Sequence, residues 1–159
     1  MRVLVAALER LDLWADAVDG LRVLPGTALA GDDRGTAYET LSSQVRSHLG
    51  VAIDHMRTLR EVAISARSLP AMAGFTPTRA ALEGVGTSLW LLGPASRDER
   101  VIRSLQLASE GHRDALVAEA ELRGQRFEAS EDRVTRRLVE LRDQRTGLAN
   151  HARPDPPFI

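Results

Sequence analysis

From Leu41 to Ala63 apolar side chains return at every third or fourth position: Leu41, Val45, Leu49, Ala52, Met56, Leu59 and Ala63. A repeat of 3.6 residues gathers them on one face of an α-helix. Thr36 supplies an N-cap and Glu39 stands at the third helical position, where its carboxylate reaches back to the cap's N–H. The spacing therefore predicts a helix from Thr36 to about Arg67, roughly thirty residues, which is about 45 Å. No segment shows period-two alternation bounded by turns, and runs of β-branched residues are short. The sequence specifies an all-α fold, most simply an antiparallel bundle of four or five helices.

Glycine, proline and capping residues divide the rest. A first helix places Leu4, Leu8, Leu11, Ala15 and Val18 at helical spacing and ends near Gly20. Residues 20–36, with Pro25 and glycines at 20, 26, 31 and 35, are expected to be an irregular connection. After a turn at 68–75, Thr76 is expected to cap a helix with Pro77 at its first position, which stops at Gly93-Pro94. Ser96 with Glu99 opens the next helix, closed by Gly124. Ser130 caps a last one over 131–147, with Glu131 and Asp132 in its first turn. Residues 1–149 are thus expected to form a single helical-bundle domain, and 150–159, with prolines at 154, 156 and 157, a flexible tail.

Composition removes several classes of chemistry. There is no cysteine, so disulfides, thiolate nucleophiles and cysteine-ligated metals are excluded. A net charge of −1 gives no overall electrostatic reason to expect nucleic acid or an anionic membrane as partner. All 21 basic residues are arginine, a bias that a GC-rich coding genome produces without selection for guanidinium chemistry. Glu9, Arg10 and Asp12 interrupt the first apolar run before it resembles a signal sequence, and no run reaches the ~18 residues that span a bilayer. A cytoplasmic protein without membrane contact is expected.

Chemistry is scarce. Between Thr76 and Ser96 the only charged residues are Arg79 and Glu83, on a helix whose main apolar face is Leu82, Val85 and Leu89. Such a helix is expected to be covered on several sides. Arg79, Glu83, Gly86 and Trp90 share one flank, and a charge pair there is costly to bury unless it is matched. His55, on the shoulder of the long helix, with His112, Arg100 and Arg103 on the following helix, are the expected companions in a semi-buried polar cluster. His48 and His55 are two turns apart, ~10 Å along the axis, too far to share an ion in the usual helical way. Core histidines are favoured over a metal site, and no cofactor is expected. No Gly-x-Ser-x-Gly elbow and no phosphate-binding glycine loop is present.

The run TRAALEGVGTSLWLLGPASRDERVIRSLQLA, with AIDHMRTLRE upstream, resembles a group of largely uncharacterised all-helical proteins of actinobacteria and their phages. The matching features are Asp54-His55 on the long helix, Arg79 with Glu83 before Trp90-Leu91-Leu92, and Arg97, Arg100 and Arg103 beyond. The resemblance covers about residues 45–110 and implies a helical fold without implying an activity. A second resemblance is to the HEPN ribonucleases, whose signature is an arginine followed after four to six residues by a histidine. Arg145 and His151, with five residues between them, match that spacing. They are the catalytic candidates that this resemblance supplies; Glu83 with a core histidine would be a second acid/base pair, but helical interiors hold such pairs for structural reasons.

Val134, Leu138, Leu141 and Leu148 form a narrow stripe flanked by Arg133, Arg136, Arg137 and Arg142, a pattern of helix pairing within the bundle or with another subunit. The expectation for function is an interaction or regulatory protein that acts by binding, as a homo-oligomer through its terminal helices or with another protein. The alternative is a HEPN-like ribonuclease or toxin component, the only reading that brings in RNA.

Overall fold

In the computed structural model, residues 10–65, 74–122 and 136–140 are described. Five helices follow in order: α1 (Leu11–Asp19), α2 (Ala28–Gly35), α3 (Leu41–Ser65), α4 (Phe75–Leu92) and α5 (Arg97–Leu122). Residues 136–140 form a further helical piece, and there is no strand among the described residues. The chain is an all-α bundle, as the periodicity of the long helix specified.

The framework is the pairing of α3 with α4, and small residues decide its geometry. Gly84 packs against the α3 backbone so closely that a β-carbon there would lie 2.5 Å from the His48 carbonyl oxygen. One turn on, Ser88 donates to its own helix's Gly84 carbonyl at 2.9 Å and lies over Val45. Another turn on, Leu91 is fully buried with Leu41 and Val45. As α4 advances its contacts on α3 recede, so the two helices are antiparallel. Leu41, Val45, Ala52 and Leu59 are buried and Leu49, Met56 and Ala63 half-buried, matching the face expected from the sequence.

The α4 face is a correction. Leu82, Val85 and Leu89, expected to be its covered face, are exposed, while Ala81, Gly84, Ser88 and Leu91 are buried. Hydrophobicity favours the leucines, but close approach to α3 favours glycine, alanine and serine.

Residues 20–36, expected to be irregular, contain α2. Thr27 caps it by accepting from the Ala30 N–H at 3.2 Å. Two glycines in eight residues hide this helix from propensity arguments, and tertiary contacts hold it. Asp32 is 1% exposed and takes two hydrogen bonds from Arg100 of α5, at 2.7 and 3.1 Å. Arg97 donates twice to the Gly31 carbonyl, at 3.2 and 2.8 Å. Asp33 receives the Ser42 N–H at 2.9 Å and its hydroxyl at 2.7 Å. The same contacts move the start of α3: it begins at Leu41, with Thr40 accepting from the Ser43 N–H, and Thr36 closes α2 instead.

Two further packings complete the bundle. Leu11 and Ala15 bury the inner face of α1, while Asp12 reaches Arg57 and Arg60 of α3 at 3.4 and 2.9 Å. The hydrogen bond from Arg60 is the largest influence holding the Asp12 carboxyl below its usual range. On α5, Val101, Ile102, Leu105 and Ala108 form a second core with Leu138. Gln44, buried between the two cores, donates to the Ser104 carbonyl at 3.1 Å.

Candidate interaction surface

With Ala81, Gly84, Ser88 and Leu91 turned to α3, the helical repeat leaves Phe75, Leu82, Val85, Leu89 and Leu92 outside, 41–69% exposed. Steps from 75 to 82 and from 82 to 89 are heptads, and 85 and 92 fall three residues after 82 and 89. This is the a/d spacing of a coiled-coil seam, with Thr78 at the remaining d position. The seam lies on an arc of about 100° and runs the 18-residue length of α4, about 27 Å.

The seam continues into a groove. Trp14 and Val18 of α1, Leu49, Ile53 and Met56 of α3, and Ala81 and Val85 of α4 line an open cavity of about 340 Å³ whose walls are wholly apolar. Trp14 and neighbouring Leu13 are themselves largely exposed. Among the described residues α1 covers only part of the long α3, so apolar surface on three helices is left open together. Contiguous apolar surface of this kind is uncommon on a monomeric soluble protein.

The residues expected to form a semi-buried polar cluster are placed apart. Arg79 and Glu83 pair with each other at 2.7 Å on the surface, with Arg79 73% exposed, rather than inside the bundle. Arg100 is turned to Asp32 and to the Pro94 and Ala95 carbonyls. Arg103 donates to the Trp90 carbonyl at 2.8 Å and to Glu99, with its guanidinium 5.1 Å from the Trp90 ring centre. His112 packs edge-to-face on Tyr38 at 6.3 Å, and His55 is half-buried on α3. The physical reason is the rotation of α4: its small-residue face took the interior, which carried Arg79 and Glu83 outward. His48 lies against Gly84, and burial lowers its imidazole pKa from the ordinary value.

The sequence reading missed the buried charge pair, because Asp32 lies in a segment assigned to a loop. Its sole sequence signal is the Thr27 cap ahead of an acidic pair. Of the seam, Leu82, Val85 and Leu89 were recognised as an apolar face but assigned to the interior, and Phe75 was placed in the preceding turn. Arg145 and His151 lie outside the described residues, as do Val134, Leu141 and Leu148 of the last stripe. Its Leu138 is buried within the bundle.

Arg34, Tyr38, Arg136 and Arg137 line a second cavity of about 580 Å³ with Leu105 at its base. Its arginines are exposed, and Arg137 pairs with Glu140 at 3.1 Å. Among the described residues no three histidine, aspartate or glutamate side chains are grouped to hold a metal, and no helix is long and apolar enough to cross a membrane. No family model matches the chain, and comparisons with curated proteins and with solved structures give no match.

Proposed function

We infer that the protein acts by binding, as an interaction or regulatory module that receives a helix of a partner on α4. The observation that carries this reading is the exposed a/d seam of Phe75, Leu82, Val85, Leu89 and Leu92, continuous with the apolar groove under Trp14. Heptad spacing matters because it selects the occupant: knobs at 3.5-residue intervals fit the holes of another helix. The charged groups nearest the seam, Arg79 and Glu83, already satisfy each other, and the Thr78 hydroxyl donates to the Gly74 carbonyl at the start of its own helix at 2.8 Å. Recognition therefore rests on shape and apolar burial, the helix-in-groove mode.

The test compares wild type with L82D/L89D. Both leucines are solvent-facing, so the variant keeps its helical circular dichroism. Wild type associates with a second copy or with an amphipathic peptide carrying leucine heptads, read from the emission of Trp14 at the groove; the variant does neither. A wild-type chain that remains monomeric and leaves Trp14 unchanged with the peptide sinks the reading.

A further inference from the structure

We propose that the occupant of the α4 seam is a second copy of this chain, paired through α4 in antiparallel register about a two-fold axis. The inference rests on the binding reading above and deepens it by naming the partner. An isologous contact requires a patch that complements itself. In antiparallel coiled coils each a residue faces a d residue, so residues whose numbers sum to 167 meet: Phe75 with Leu92, Thr78 with Leu89, and Leu82 with Val85. That register aligns each α4, Phe75–Leu92, with its whole counterpart and leaves no knob of the seam unpaired. The sum centres the axis at the middle of the helix.

The surroundings fit this arrangement. Antiparallel pairing sets the ends of the two helix dipoles against opposite ends, whereas parallel pairing aligns like ends. The face of α4 that holds α3 lies to one side of the seam, so pairing the seams brings the two α3 helices to the same side and builds a four-helix layer. On the opposite flank the residues are Arg79 and Gly86, and Arg79 is held by Glu83 of its own helix, so no unpaired charge is driven into the contact. Trp14 stands at the groove's rim, where a second copy extends the covered apolar surface past α4.

Because the chain contains no cysteine, single introduced thiols report the register without background. Sedimentation of wild type is expected to give twice the 17.4 kDa chain mass at tens of micromolar, and L82D/L89D the single mass with unchanged circular dichroism. Mixed F75C and L92C variants are expected to form a mixed disulfide dimer under mild oxidation, while each alone stays uncross-linked. F75C cross-linking with itself overturns the antiparallel register. A monomeric wild type overturns the proposal in either of two ways. If L92C is then shielded from maleimide, the occupant is the chain's own N-terminal segment. If L92C reacts freely, the seam is open to a different helix and binding of the leucine-heptad peptide still decides the functional reading. A dimer that survives L82D/L89D also overturns it, placing the contact on another face.

Discussion

Asp32 and Glu83 are both carboxylates paired with an arginine, yet their surroundings give them opposite weight. Asp32 is almost wholly buried, and Arg100, 13% exposed, is tied to it and to two carbonyls. Removing one partner of such a pair strands the other, so Asp32→Ala is expected to lower unfolding stability by about 3 kcal/mol. A shift in urea midpoint worth less than about 1 kcal/mol contradicts this account. Glu83→Ala leaves the midpoint close to wild type, because exposed pairs contribute little once solvent screens them. His48 carries a pH dependence of defined sign. Burial lowers its folded pKa below the ordinary 6.5, so the unfolded chain takes up the proton first. Stability is then full above that ordinary value and falls as pH drops through it toward the folded value. A His48→Gln variant is expected to lose that part of the decline in a melting series from pH 7.5 to 5, and an unchanged slope counts against it. Arg79 and Glu83 were conspicuous in the sequence because they are the only charges on an apolar helix. Asp32 was not, because a carboxylate in a glycine-containing segment resembles ordinary loop chemistry.

Helix α4 shows how an element chooses its buried face. Its leucine side has more apolar area, but its Gly84 side allows the α3 backbone to approach. Gly84→Ala puts a methyl group 2.5 Å from the His48 carbonyl oxygen, so one helix must shift; a loss of about 1–3 kcal/mol is expected. Gly50 of α3 is the control, since a β-carbon there meets nothing within 4 Å. Gly50→Ala is expected to raise stability by up to about 1 kcal/mol through helix propensity alone. If both substitutions move thermal stability the same way, close packing is not what orients α4. Element existence was largely legible: the stop at Gly93-Pro94, the start at Arg97 and the end of α1 near Gly20 follow from local signals. The eight-residue α2 was not, because its stability comes from Arg97 and Arg100 more than sixty residues away.

At the scale of the molecule, the described helices carry more apolar surface than they cover among themselves. The short α1 leaves part of α3 open, and the seam on α4 stays outside. The proposed binding role sets an expectation against catalysis: incubated with structured and single-stranded RNA, the purified chain leaves both intact. Cleavage abolished by His151→Ala reinstates the ribonuclease alternative. The sequence by itself determined the helical class, the long α3 with its buried stripe, and the heptad spacing along α4, because periodicity and caps act within one segment. Only the tertiary structure decided which side of α4 faces inward, that Arg100 belongs to Asp32 rather than to Glu83, and that the seam meets solvent. Those outcomes depend on how closely two backbones approach and on contacts between residues far apart in the chain, which spacing along one helix does not encode.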